Sequence, residues 1–182
     1  MTILGGKEKS MKFLWAPWRM DYILLKKEEG CIFCRKPLEK RDRENLIVYR
    51  GSSGFVMMNK FPYNNGHLMI IPNRHCLDLE ALHEKEMKEL FRLLKMATLV
   101  LKETLEPHGF NVGINLGKIA GAGEDHVHIH VVPRWVGDTN FMPIFGEAKI
   151  IPQYLEETYK TLSAGFRSHS KKRMKKGGGN RP

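Results

Sequence analysis

The chain has 182 residues, of which 42% are hydrophobic and 27% charged, proportions typical of a globular protein with a well-formed core. It contains no apolar run long enough for a membrane span or a signal peptide, and its three cysteines are too few for a disulfide framework. We therefore expect a cytoplasmic protein that does not associate with membranes.

The formal net charge of +10 is concentrated at one end of the chain. Residues 167–182 include seven basic residues and no acidic ones, which leaves 23 basic and 20 acidic residues in the rest. We expect residues 163–182 to form a disordered, solubilising tail that binds nucleic acid only weakly. The charge therefore does not indicate a dedicated nucleic-acid-binding protein.

Hydrophobic periodicity predicts an α+β domain over residues 15–162, preceded by an unpatterned N-terminal extension at residues 1–14. Short strands are expected at residues 46–49, 55–59, 67–71, 110–115 and 126–132. Pro133 is expected to end the last strand. A long amphipathic helix over residues 78–105 separates the third and fourth strands, and a short helix over residues 153–162 closes the domain. This order favours a mainly antiparallel five-stranded sheet with one long and one short helix.

Three histidines alternate with aliphatic residues in the segment His-Val-His-Ile-His-Val-Val, at His126, His128 and His130. In a strand, this spacing places all three imidazoles on one face. The outer two would lie about 13 Å apart along the strand, whereas a metal–nitrogen bond is about 2 Å long. One ion cannot bind all three, so we expect the histidines to divide the work. A row of solvated histidines on an edge strand is the alternative interpretation.

This segment resembles the signature of the histidine-triad (HIT) superfamily. Two longer stretches, FVMMNKFPYNNGHLMIIPNRH and NVGINLGKIAGAGEDHVHIHVVPRW, also look like this superfamily, so that the resemblance spans residues 15–162. The WAPWRMDYI start and the PRWVGDTNFMPIFG end are similar to the bacterial branch of diadenosine tetraphosphate phosphorylases. The resemblance implies the HIT fold, with two copies paired as a homodimer.

The resemblance implies a catalytic role for two of the three histidines. His128, the middle one, is expected to attack the α-phosphorus of a nucleotide and form a nucleotidyl-histidine intermediate. Such an attack requires a neutral ring whose other nitrogen is held as a hydrogen-bond donor, normally to a main-chain carbonyl. His130 is expected to bind the phosphate oxygens or the leaving group as charge develops. His67 is expected to make only a structural hydrogen bond.

The resemblance also implies where the nucleotide and its phosphates bind. Asn59 aligns with a family residue that contacts the ribose, and Asn115 lies where the family places an amide side chain, often Gln, on the phosphates. The loop over residues 117–123 is rich in glycine and can present main-chain N–H groups to phosphate oxygens. The expected binding residues are Asn59, Asn115, Gly117, Lys118, Gly121, Gly123 and His130.

Cys31 and Cys34 form a Cys-x-x-Cys pair outside any thioredoxin-like unit, which argues against a redox pair. In several branches of the superfamily such a pair is completed by two histidines, at the positions of His75 and His126 here. Four protein ligands would make a closed tetrahedral site, so that the zinc would be structural. Two ordinary buried thiols are the alternative.

Three functions are compatible with these features. In a phosphorylase, inorganic phosphate attacks the nucleotidyl-histidine, so that diadenosine tetraphosphate and phosphate give ATP and ADP. In a hydrolase, water attacks instead and AMP is released from a dinucleoside polyphosphate or a nucleoside phosphoramidate. The third is a binding module for nucleotide or RNA without catalysis. By resemblance we favour the phosphorylase, with Mg²⁺ arriving on the nucleotide.

Overall fold

The computed structural model describes residues 30–138 and 153–177, which belong to one structural unit of the chain. The expected extension at residues 1–14 and the WAPWRMDYI segment lie outside the described residues. Within those residues, no helix combines the length and the apolar character needed to cross a membrane.

A five-stranded antiparallel sheet forms the centre of this unit, as predicted. The strands are β1 (Ile47–Arg50), β2 (Gly54–Met58), β3 (Leu68–Pro72), β4 (Gly109–Ile114) and β5 (Ile129–Arg134). Their spatial order is β1-β2-β3-β5-β4, so that β5 lies between β3 and β4. The described edges of the sheet are therefore β1 and β4.

Alternation along the strands divides the apolar side chains between two faces of the sheet. In β3, Leu68 and Ile70 belong to the larger buried cluster, which also contains the helices. Met69 and Ile71, pointing the other way, belong to a smaller cluster. A short helix, α1 (Ile32–Arg35), lies against the smaller cluster and carries the Cys-x-x-Cys pair to that face.

Helix α2 (Glu84–Leu105) covers the larger cluster. It begins six residues later than the predicted residue 78, because a 3₁₀ turn over Leu79–Ala81 precedes it and a capping box sets its first turn. In that box the Glu86 carboxylate accepts a hydrogen bond from the main-chain N–H of His83 (2.9 Å).

The second long helix, α3 (Leu155–Gly177), corrects two expectations: a short final helix and a disordered tail beginning at residue 163. The apolar stripe of this helix continues past Leu162, because Phe166 is also fully buried and stacks on Tyr49 of β1 with ring centroids 5.6 Å apart. The basic residues that follow are good helix formers, so that a helix anchored by this stripe propagates through them.

The fifth strand is shifted relative to its predicted position. It begins at Ile129, so that His126 and His128 precede it, and Pro133 lies inside it instead of ending it. Pairing between β3 and β5 reaches no further than Val131. Pro133 therefore interrupts no hydrogen-bond ladder on the β3 side, which is the edge-like position where proline is tolerated.

Candidate active site

The histidine triad lies on the face of the sheet that carries the smaller cluster. The aliphatic residues between the histidines are buried against the helices on the opposite face; these are Val127, Ile129 and Val131. Because successive side chains alternate, the imidazoles point away from the helices. The rings of His128 and His130 are neighbours, with centroids 4.6 Å apart and an edge-on arrangement.

The ring of His128 is held in one tautomer. Its Nδ1 lies 2.8 Å from the main-chain carbonyl oxygen of His126. A carbonyl oxygen only accepts hydrogen bonds, so Nδ1 carries the proton and donates it, and Nε2 keeps a free lone pair. The residue is only 4% exposed, which makes this geometry that of a shielded nucleophile.

Phe33 packs against two rings of the triad at once. Its centroid lies 5.1 Å from that of His128 and 5.8 Å from that of His126, both in edge-on geometry. Phe33 sits between Cys31 and Cys34 in the sequence and is itself buried. The Cys-x-x-Cys helix is therefore packed directly onto the candidate nucleophile.

His130 is held by His67, the residue before β3. The main-chain N–H of Tyr63 donates to Nδ1 of His67 (3.1 Å), so that the proton of this neutral ring is on Nε2. That Nε2–H donates to Nδ1 of His130 (3.0 Å). The neutral ring of His130 therefore carries its own proton on Nε2, as a donor for an anionic group bound beside His128.

Burial lowers the pKa of both histidines below the ordinary value of 6.5. For His128 desolvation is the cause, opposed only by the hydrogen bond to the His126 carbonyl. For His130 desolvation and the neighbouring His128 lower the pKa to about 4. Both rings are neutral at pH 7, which leaves Nε2 of His128 able to attack and Nε2–H of His130 able to donate.

A second cluster forms at the other end of the triad. The ligand atoms of Cys31, Cys34, His75 and His126 all lie within 4.8 Å of one another. Nδ1 of His126 is 3.2 Å from Sγ of Cys31, and Nδ1 of His75 is 3.4 Å from Sγ of Cys34. The four side chains that the resemblance grouped are thus brought together from three separate places in the sequence.

The donor set of this cluster fits a tetrahedral zinc ion. Two sulfurs and two imidazole nitrogens are a common zinc ligand set. Nε2 of His126 donates to the carbonyl oxygen of Pro72 (3.1 Å), which directs Nδ1 toward the sulfurs and provides the outer acceptor usual for a metal-bound histidine. Without a cation, burial and then Cys31 raise the pKa of Cys34 to about 11, so metal binding would displace a proton.

The predicted phosphate-binding residues lie on the loop between β4 and β5. The amide of Asn115 donates to the carbonyl oxygen of Gly121 (3.3 Å) and thereby closes the loop. Gly117 and Gly121 both have positive φ, at 80° and 89°, a conformation that favours glycine. Lys118 is exposed, and its ammonium group pairs with Asp125 (3.2 Å). Gly123 lies exposed near the end of the same loop.

Asn59, predicted to contact the ribose, directly follows β2. Its side-chain oxygen accepts a hydrogen bond from the main-chain N–H of Phe61 (2.9 Å), and its own N–H donates to the carbonyl oxygen of His67 (2.9 Å). In this structure Asn59 therefore organises the turn that holds His67.

Comparison with known proteins agrees with this geometry. The HIT domain family matches residues 40–136. The chain is 40% identical over 168 residues to the AP-4-A phosphorylase of Mycobacterium tuberculosis (strain CDC 1551 / Oshkosh), which covers 87% of this chain and 86% of that protein. The chain belongs to the HIT domain family.

The chain is also similar to a second enzyme and to a solved structure. It is 28% identical over 118 residues to an asymmetrical bis(5'-nucleosyl)-tetraphosphatase of Schizosaccharomyces pombe, covering 65% of this chain and 62% of that one. A zinc-bound histidine triad family protein from Mycobacterium smegmatis superposes with a TM-score of 0.65 at 24% identity, covering 78% of this chain and 96% of that one. The second similarity shows the shared fold.

Sequence reasoning missed two contributors to this HIT site. His67 was expected to make a structural hydrogen bond, and the structure shows that its partner is the catalytic candidate His130. Phe33 had no expected role, although an aromatic residue between two metal-ligand candidates was a visible signal. Both were missed because the pairing of β3 with β5 and the docking of α1 depend on contacts between distant parts of the chain.

Proposed function

We propose that the protein is a diadenosine tetraphosphate phosphorylase. Nε2 of His128 attacks the α-phosphorus of the dinucleotide; the nitrogen–phosphorus bond forms, the bond from that phosphorus to the bridging oxygen breaks, and ATP leaves. Inorganic phosphate then attacks the same phosphorus, the nitrogen–phosphorus bond breaks, and ADP is released. The net reaction converts diadenosine tetraphosphate and phosphate into ATP and ADP.

The orientation of His128 is the observation that carries this proposal. Its Nδ1–H is engaged by the His126 carbonyl at 2.8 Å, so the nucleophilic lone pair is presented without any rearrangement of the ring. His130 supports it, because its Nε2–H is available to stabilise charge on the bridging oxygen or on the α-phosphate. The hydrogen bond from His67 keeps that proton on Nε2 of His130.

The choice of phosphorolysis over hydrolysis rests on the relatives. The AP-4-A phosphorylase from Mycobacterium tuberculosis is similar over most of both chains at 40% identity. The tetraphosphatase from Schizosaccharomyces pombe is less similar and covers a smaller part of each chain. Hydrolysis of the same nucleotidyl-histidine by water is the second candidate, since it would use the same histidines.

Structural zinc at Cys31, Cys34, His75 and His126 is also part of the proposal. The support is the convergence of the four ligand atoms within 4.8 Å. With all four positions filled by protein, the ion would stabilise the packing of α1 against the triad and would leave no position for substrate. By binding His126, zinc would thereby hold in place the chain segment that carries His128.

We also propose that two copies pair through β4. Within the part of the chain that the structure describes, β5 is the only strand that pairs with β4, and the β4 residues Asn111, Val112 and Gly113 are exposed. An unpaired row of main-chain N–H and C=O groups on an edge strand is a template for pairing with an identical strand. Sedimentation equilibrium would show a dimer, and Val112→Pro, which removes one main-chain donor, would shift it toward monomer.

Product analysis tests the reaction itself. Diadenosine tetraphosphate is incubated with the protein, with and without inorganic phosphate, and the nucleotides are separated by chromatography. ATP and ADP formed only with phosphate would support the phosphorylase, whereas AMP and ATP formed regardless of phosphate would support the hydrolase. His128→Ala, run in parallel, is expected to form neither set of products.

A further inference from the structure

An exposed tyrosine ring lies next to two histidines of the site, the buried His67 and the half-buried His130. The ring of Tyr63 stacks on His67, with centroids 4.8 Å apart and planes 30° from parallel, and its centroid lies 5.9 Å from that of His130. Tyr63 is 53% exposed, whereas His67 is 1% exposed. One face of the phenol ring is therefore covered by the site, and the exposed surface lies away from it.

The turn that carries Tyr63 is rigidly held. The side chain of Asn64 donates to the carbonyl oxygen of Pro133 (3.1 Å) and to the carboxylate of Asp138 (2.8 Å). Asn65 accepts a hydrogen bond from the hydroxyl of Thr158 in α3 (2.9 Å). An aromatic ring that is exposed on a well-anchored turn is already ordered, so it loses little conformational entropy when a ligand binds. Such a ring is suited to ligand binding.

The aromatic residues at the two ends of the catalytic pair differ in exposure. Phe33, which contacts His128, is 3% exposed and belongs to the core. Tyr63 is at the His130 end, where the leaving group would be bound if His130 stabilises it. A nucleobase stacks on an aromatic ring without requiring a particular base, and such a contact contributes on the order of tenfold or more in affinity.

We propose that the open face of Tyr63 binds the nucleobase of the leaving nucleotide. This inference rests on the proposed function, because it assigns the second nucleoside of a dinucleotide substrate to a surface of the same site. Tyr63 would make the protein prefer dinucleotides over nucleotides that carry the same phosphate chain without a second base. The flexible polyphosphate chain allows the base to turn back onto the ring.

Two ligands isolate this contact. Diadenosine tetraphosphate and adenosine 5′-tetraphosphate have the same number of phosphates, and only the first has a second nucleoside. Their dissociation constants are measured by calorimetry in the His128→Asn background, where the reaction cannot consume the ligand. Tyr63→Leu removes the aromatic face, Tyr63→Phe keeps it, and both retain the main-chain N–H that binds His67.

Tyr63→Leu is expected to weaken the binding of diadenosine tetraphosphate about tenfold and to leave the affinity for adenosine 5′-tetraphosphate unchanged. Tyr63→Phe is expected to bind both ligands as tightly as the parent protein does. Equal weakening of both ligands by Tyr63→Leu would overturn the inference and make Tyr63 a support for His67. No change for either ligand, or the same loss in Tyr63→Phe as in Tyr63→Leu, would also overturn it.

These binding measurements are separate from the test of the reaction. If the protein with His128 intact fails to turn over the dinucleotide but shows the tenfold preference through Tyr63, the proposed function is wrong and the binding site stands. If it turns over the dinucleotide and Tyr63→Leu has no selective effect, the reaction stands and the base-binding role of Tyr63 is wrong.

Discussion

The first two histidines of the triad show how one residue type can be arranged for two different roles within three positions. His126 donates from Nε2 to the carbonyl oxygen of Pro72, which turns Nδ1 toward the cysteine sulfurs. His128 does the reverse: it donates from Nδ1 to the carbonyl oxygen of His126, which leaves Nε2 free. The two rings are therefore opposite tautomers.

The acceptor that one ring nitrogen meets therefore decides how the other nitrogen can be used. For His126 the acceptor lies at the end of β3, and the free nitrogen meets two thiols. For His128 the acceptor belongs to the triad segment itself, and Nε2 is left for the reaction we propose. The proposed metal site and the proposed reaction site share His126, through its side chain in one case and its main-chain carbonyl in the other.

Removing the proposed nucleophile should lower activity more than any other substitution in the site. His128→Ala should lower kcat/KM for diadenosine tetraphosphate by at least about 10³-fold, because no other group would replace the nucleophile that we propose. Steady-state assays with inorganic phosphate measure this. His83→Asn is the matched control, since it alters an exposed histidine at the start of α2 and keeps a residue able to cap the helix. If His83→Asn lowered kcat/KM as much as His128→Ala does, the loss could not be assigned to the nucleophile.

Removing one ligand of the proposed zinc site should cause loss of zinc and of stability. Cys34→Ala should abolish zinc binding, measured by metal analysis, and remove the chelator-dependent part of the free energy of unfolding. That part is about 4 kcal/mol when free zinc is a thousandfold above its dissociation constant. Cys76→Ala changes a buried cysteine beside His75 and should keep both the zinc and the chelator effect. Full zinc occupancy in Cys34→Ala would contradict the assignment of the cluster.

A smaller effect should follow from loosening His130. His67→Asn removes the donor to Nδ1 of His130, so that the proton on its Nε2 is no longer enforced, and kcat should fall about tenfold or more with little change in KM. His67→Gln, whose longer amide reaches toward the Nε2 position, should recover part of the loss. Equal kcat values for His67→Asn and His67→Gln would show that a hydrogen-bond donor to Nδ1 of His130 does not contribute to catalysis.

The mildest effect is the pH dependence. Because burial lowers the pKa of His128 below 6.5, its neutral, nucleophilic form persists as the solution is acidified. The value of kcat/KM should therefore stay level from pH 8 to about 6.5 and decline only at lower pH. An acid limb with its midpoint above 6.5 would mean that the ring is stabilised in its charged form, contrary to its buried setting.

The free energy of unfolding should also decrease as the solution is acidified. The pKa of His130 is about 4 in the folded chain and near 6.5 when unfolded, so the unfolded chain binds a proton first as the pH falls. The contribution is complete above 6.5 and is lost as the pH falls from about 6.5 toward 4. Urea unfolding at saturating zinc and several pH values measures it.

Much of the fold was readable from the sequence because the strands of this sheet obey a simple alternation. Leu68 and Ile70 face the helices and Met69 and Ile71 face the other way, as period two requires. The long final helix was not readable, since its basic second half looks like a solvated tail. Phe166 was the overlooked signal, because a single buried aromatic ring extends the apolar stripe past Leu162.

The site was readable to a lesser degree. Alternation alone put three histidines on one face and showed that one metal could not hold them all, but the grouping of Cys31 and Cys34 with His75 and His126 came from the resemblance. A main-chain acceptor for one nitrogen of His128 was expected and is present. Which nitrogen donates in His126 and in His128 could not be predicted, because this depends on two carbonyl oxygens whose positions are set by tertiary folding. The link between His67 and His130 depends likewise on the pairing of β3 with β5.

The most direct test of the account is to observe the covalent intermediate. The protein is mixed with diadenosine tetraphosphate without inorganic phosphate, quenched under alkaline conditions that preserve a phosphorus–nitrogen bond, and analysed by mass spectrometry of the intact chain and its peptides. We predict one adenylyl group on His128, which disappears when phosphate is added and yields ADP. Turnover without any adduct, or an adduct on another residue, would contradict the assignment of His128 as the nucleophile.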